Sequence, residues 1–133
     1  MADSQSTTLQ GTSVMPSLTV DNVQASLDFF GKLGFEVEDR WEKDGALIGA
    51  MLKAGHARLG LSQDDGQKGQ GRIKGLGMRL YVEADGDIDQ AATRAKAAGL
   101  TLTKEPHDTE WGTRSFDVTE PSGFLLTIAS PSR

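Results

Sequence analysis

Residues 14–62 and residues 78–130 repeat one order of secondary-structure signals, and this internal repeat constrains the fold more than any other feature of the chain. In the first copy, VMPSLTV (14–20) has the apolar content of a strand. Asp21 and Asn22 follow as N-cap candidates for a helix to about Leu33, in which Val23, Leu27, Phe30 and Leu33 recur at helical spacing. Gly34 is placed to close that helix, and Phe35-Glu36-Val37-Glu38 then alternates as a strand does. The turn pair Asp44-Gly45 and the later Ala54-Gly55 set off two more strands, ALIGAMLK and HARLGLS.

The second copy runs in the same order. MRLYVE (78–83) predicts a strand, and Asp87 caps a helix with Gln90 at the capping-box position. Ala91, Ala95 and Ala98 give that helix a small-residue face, and Gly99 ends it. LTLT (100–103) predicts the next strand, and WGTRSFDVTEPSGFLLTI (111–128) predicts the last two, joined by the turn Glu120-Pro121-Ser122-Gly123. The halves align Leu33–Val37 on Ala98–Leu102, Trp41 on Trp111 and Gly45 on Gly112. Neither half can bury a sheet face alone. The expectation is an α+β fold of paired βαβββ modules, with curved mixed sheets around a cleft.

This organisation leaves residues 1–13 as a disordered polar tail and residues 63–77, QDDGQKGQGRIKGLG, as a flexible linker between modules 14–62 and 78–130 of one domain. The Gly-rich run is not a phosphate loop, because no strand leads tightly into it, no helix opens from it, and it lacks a Gly-Lys-Ser ending. The formal net charge is −5, with no basic stripe of the kind a nucleic-acid partner requires. An acidic surface mildly favours cationic ligands. No apolar run approaches the roughly 20 residues that span a bilayer, and MADSQSTTLQGTS has neither a basic nor an apolar signal-peptide region. With no cysteine there is no disulfide and no thiolate site, which fits a cytoplasmic protein.

A strand, then VDNVQASLDFFGKLGFEV, a Gly-turn hairpin and finally WGTRSFDVTEPSGFLLTI resembles the vicinal oxygen chelate superfamily over about residues 14–130. That group includes glyoxalase I, extradiol dioxygenases, fosfomycin-resistance enzymes and bleomycin-resistance proteins. The resemblance implies a divalent metal held by side chains from four strands, two in each half. Placing the motif on this chain gives Met15, Gly60, Met78 and Thr127. Thioether sulfur is soft, glycine offers no side chain, and a lone threonine hydroxyl is a weak donor. The nearest alternatives, Ser17, Arg79 and Leu126, supply no convincing set.

The resemblance without the donors leads to a protein that holds no metal and no cofactor. Its expected partner is a small organic ligand, aromatic or cationic, such as an antibiotic. The rival expectation is a glyoxalase-like lyase, isomerase or dioxygenase with displaced metal ligands or cofactor-free chemistry. The resemblance also implies a homodimer, since the eight strands of the family assemble within one chain or by exchange between chains. Trp41 and Trp111 are expected near the mouth of the pocket, where each can stack on a ring. Arg114 is a candidate to point inward as a partner for a carboxylate or phosphate, or else to lie in water. The ligand-binding candidates are therefore Met15, Trp41, Gly60, Met78, Trp111, Arg114 and Thr127. His56 and His107 fall in expected surface loops, and His107, Asp108 and Glu110 read as a solvated cluster. No nucleophile elbow is present to suggest a Ser-His-Asp triad.

Overall fold

Each half of the chain folds as a strand, a helix and three strands. The computed structural model describes residues 8–69 and 71–131; residues 1–7 of the expected tail and residue 70 of the linker lie outside them. The first half comprises β1 (Ser17–Val20), α1 (Val23–Leu33), β2 (Glu36–Lys43), β3 (Ala46–Ala54) and β4 (Ala57–Gln63). The second comprises β5 (Arg79–Glu83), α2 (Ile88–Ala97), β6 (Lys104–Asp108), β7 (Arg114–Thr119) and β8 (Leu125–Ala129). They form two four-stranded mixed sheets, ordered β1-β4-β3-β2 and β5-β8-β7-β6. In each, the first strand runs parallel to the last, and the other pairs are antiparallel. The architecture is the expected pair of βαβββ units.

The helix caps follow from local chemistry. Asn22, rather than Asp21, caps α1, its side-chain oxygen accepting from Ala25 N at 3.0 Å. Gly34 closes the helix at φ 116°, a left-handed conformation that glycine adopts without a Cβ penalty. Asp87 caps α2 by accepting from Gln90 N at 3.1 Å. Both helices lie on one side of the sheets, where Phe30, Val23 and Leu27 of α1 join Leu18, Leu52, Leu61, Phe116, Val118 and Leu126 in one core. Ile88 and Ala92 of α2 belong to the same core, so the halves share an interior.

Strand boundaries depart from the sequence reading in three places. The first and fifth strands begin at Ser17 and Arg79, so Met15 and Met78 precede them. β2 continues through Trp41 to Lys43, well past Glu38. The strand expected at residues 100–103 lies instead at Lys104–Asp108. Leu100 and Leu102 pack against the core from an extended connection, which gives LTLT its strand-like alternation. Pro106 sits within β6 because β6 is a sheet edge, and its ladder with β7 is irregular between Lys104 and His107. His107 is accordingly a half-buried strand residue and not a loop residue.

The Gly-rich connection is anchored at its C-terminal part. Lys74 is only 9% exposed and its ammonium pairs with the carboxylates of Asp21 and Asp64, the latter at 2.9 Å. Beside it, Gly75 has φ 80°, and a Cβ there would collide with the carbonyl oxygen of Gly123 in the β7–β8 turn. Asp21 N donates to Ser122 Oγ of that same turn at 2.8 Å. Among the described residues no helix is long and apolar enough to cross a membrane.

Candidate functional site

Strand alternation gives each sheet one face toward the helices and one face that no element of the described chain covers. On the first sheet the register sets Trp41 opposite Gly49, Gly49 opposite Ser62, Met51 opposite Gly60 and Gly60 beside Ser17. Trp41 is 45% exposed, and its ring lies so close to Gly49 that a Cβ there would stand 3.1 Å from Cε3. Glycine at 49 is thus what lets the indole lie against the sheet. Gly60 is less constrained, since a Cβ there would only reach ordinary contact with the Ser17 hydroxyl and the Met51 methyl. The result is a shallow cavity of about 330 Å³, mostly apolar at its floor.

The second sheet carries a polar counterpart. Tyr81, Thr127 and Asp117 stand abreast on adjacent strands. Thr127 Oγ1 donates to Asp117 Oδ1 at 2.7 Å. Arg79 Nη1 donates to Thr127 Oγ1 at 3.3 Å and stands 4.0 Å from Asp117 Oδ2. The guanidinium carbon is 5.9 Å from the centroid of the Tyr81 ring. Asp117 is only 7% exposed, and a polar group removed from water needs such hydrogen-bonding partners. These residues floor a cavity of about 600 Å³, with Trp111, Lys104 and His107 among its walls.

The seven sequence-derived candidates do not meet in one place. Trp41 and Gly60 line the first cavity, while Thr127 and Trp111 line the second. Trp111 belongs to the β6–β7 turn and is 67% exposed, so its pairing with Trp41 in the aligned halves is not a structural equivalence. Met15 and Met78 precede their strands and line two further concavities. Arg114 points to the helix side, where it donates to both oxygens of Asp89 on α2, at 3.1 and 2.9 Å, and to Asp108 at 3.2 Å. Hydrogen bonding to Arg114 holds the Asp89 carboxyl below its ordinary range, and the guanidinium is raised in turn, first by Asp89. His56 is exposed in the β3–β4 turn. Asp117 and Tyr81 were not singled out from sequence, although the alternation of SFDVT sets Asp117 on the face that Thr127 shares.

A divalent metal would need donors converging from two strands of each half. The register places Ser17 beside Gly60 and Tyr81 beside Thr127. Those four positions offer two hydroxyls, a phenol and a hydrogen atom, and the Thr127 hydroxyl is already donated to Asp117. Asp117 is a hard donor, yet the Arg79 cation stands next to it. Among the described residues no three His, Asp or Glu side chains gather as a metal site. The residues present do not fit the metal that the resemblance implies.

Comparisons with known proteins agree with this architecture. The model of the Glyoxalase/Bleomycin resistance protein/Dioxygenase superfamily matches residues 12–128. Among curated proteins, uncharacterized protein Mb0911c of Mycobacterium bovis is 28% identical over 127 residues, covering 89% of this chain and 82% of that one. Among solved structures, a glyoxalase/bleomycin resistance protein/dioxygenase from Nocardioides superposes with a TM-score of 0.71 at 22% identity, covering 97% of this chain and 89% of that one. A bleomycin-binding protein complexed with bleomycin superposes with a TM-score of 0.67 at 18% identity, covering 92% of this chain and 100% of that one. At these identities the structural likenesses speak for the fold.

Proposed function

The chain belongs to the Glyoxalase/Bleomycin resistance protein/Dioxygenase superfamily, and within it we propose a protein that binds a small organic molecule with a flat aromatic part and uses no metal to do so. The observation that carries this reading is Trp41, laid against Gly49 on an uncovered sheet face with almost half its surface open. Large aromatics left on a concave, uncovered surface mark a contact still to be made. The apolar floor of the first face and the tyrosine and tryptophan of the second supply stacking surfaces for a ring. The bleomycin-binding neighbour supports extending the reading to sequestration of an antibiotic-like compound. The cytoplasm is the proposed location.

A homodimer is part of the same proposal. Trp41 and Trp111 line separate cavities of one chain, so a second copy that sets the first face against the second would bring them to opposite sides of one ligand. A two-fold arrangement is the commonest outcome for soluble homo-oligomers. Native mass spectrometry of freshly purified protein tests all three components together. The expected result is a dimer, with no divalent metal and with retained organic mass, or uptake of an added planar aromatic. A stoichiometric metal lost only with unfolding would overturn the reading.

A further inference from the structure

The polar cluster on the second sheet has an orientation that specifies one end of the ligand. Arg79, at the start of β5, is held on three sides: by the Thr127 hydroxyl at 3.3 Å, by Asp117 Oδ2 at 4.0 Å, and by the Tyr81 ring 5.9 Å below its guanidinium carbon. All the polar contacts use Nη1. Among the described residues neither Nε nor Nη2 has a protein acceptor, and the side chain remains 42% exposed beside the buried Asp117. A fork of donors, pre-oriented by its neighbours, is therefore turned to the cavity.

From this we infer that Arg79 is the recognition point for an oxyanion, a carboxylate or a phosphate, on the aromatic ligand of the second face. The inference rests on the small-molecule reading above and deepens it. A planar guanidinium with free parallel N–H groups matches two oxygens of such an anion, and an ammonium cannot reproduce that match. Asp117 acts as a positioning residue: it is buried under the cluster, holds the Thr127 hydroxyl and faces the guanidinium. A cationic group on the ligand would meet Arg79 before it could reach Asp117.

Two opposing terms are smaller. The formal net charge of −5 repels anions at long range, but salt screens such fields within about 8–10 Å. Glu83, Asp108 and Glu110 also line the cavity, but Asp108 is engaged by Arg114 and the other two are exposed. The acidic composition favours a cation's approach, whereas the contact geometry selects an anion.

The test compares four probes that share one ring: 2-naphthoate, 2-naphthyl phosphate, 2-naphthamide and 2-naphthylmethylammonium. Each is titrated by calorimetry into the wild type, Arg79→Met and Arg79→Lys, with circular dichroism as the control for folding. One or both anions are expected to bind about tenfold or more tightly than the amide, consistent with a charge-assisted hydrogen-bonded pair. That advantage should vanish in Arg79→Met and return only in part in Arg79→Lys. The carboxylate and phosphate arms decide which oxyanion fits. If the amide or the ammonium binds as tightly as both anions, the subsite is wrong while the small-molecule reading stands. If none of the four binds, both are wrong.

Discussion

The hydroxyl of Ser26 on α1 and the carboxylate of Glu120 before the β7–β8 turn are hydrogen-bonded to each other across the interface of the halves, and neither residue is more than 1% exposed. Glu120 also accepts from Ser122 N at 2.7 Å. Ser26→Ala would leave that carboxylate oxygen buried without its donor, at a cost of about 1–3 kcal/mol. Urea unfolding is expected to show the loss in one cooperative transition, since α1 and β7 contribute to one core. Two separated transitions would show that the halves unfold independently.

Gly75 is the position of least tolerance in the connection between the halves. Its φ is 80°, and a Cβ would stand 2.8 Å from the carbonyl carbon of Gly123. Gly75→Ala therefore combines a left-handed backbone with a backbone collision, for an expected cost of at least about 1–3 kcal/mol. Gly71→Ala shares the positive φ but meets nothing within 4 Å, so it should cost less. Thermal melts of the two variants side by side measure the difference.

The pairing of Lys74 with Asp21 and Asp64 sets a pH dependence. The Lys74 hydrogen bond, followed by the Gly66 N–H, holds the Asp64 carboxyl below its ordinary range. A carboxylate depressed on folding stabilises the native state above its unfolded value of about 4, and that stabilisation is lost as pH falls through the folded value. Lys74 is raised, first by Asp21 and then by Asp64, so its contribution is present below about pH 10.4 and is lost as pH rises through its folded value. The wild type should thus lose more stability than Asp64→Asn between about pH 5 and pH 3. Parallel acid limbs in the two proteins would disprove this role for Asp64.

Trp41→Ala and Trp111→Ala are each expected to weaken binding of a planar aromatic by the worth of one stack, roughly 0.5–2 kcal/mol. The fold should survive both, since the two rings are largely outside the core. Calorimetric titration of 2-naphthoate measures the loss, and intrinsic fluorescence of each single-tryptophan protein reports which ring the ligand touches. Unchanged affinity in both variants would rule out stacking on the tryptophans as the source of affinity.

The fold was legible because its signals are local. Asn22, Gly34 and Asp87 at the caps, and Gly99 at φ 108° just after the C-cap of α2, punctuate the helices by backbone chemistry that a sequence displays directly. Residues 100–103 mislead because Leu100 and Leu102 alternate for core packing without entering a ladder, while the true edge strand contains a proline, which argues against a central strand. The site was less legible. Thr127 stands in the sequence as a missing metal donor, but its meaning depends on Asp117 and Arg79, which reach it only across strand pairings. For Arg114 the sequence leaves open an inward position or one in water, and its alternation places it toward Asp89 on α2. Trp111 aligned with Trp41 in sequence, but one stands on a strand and the other in a turn.

In both sheets the opening strand of a half runs beside its closing strand, with Ser17 next to Gly60 and Tyr81 next to Thr127. During synthesis, β5 therefore has no neighbour in its sheet until β8 has emerged, because β8 alone separates it from β7. The Arg79–Thr127–Asp117 cluster is complete only at that same moment. A chain truncated before residue 125 would leave β7 with an unpaired edge on that side and Asp117 without its hydroxyl donor. The second half would then be an exposed β template, so loss of its last short strand would turn a closed sheet into a nucleus for aggregation.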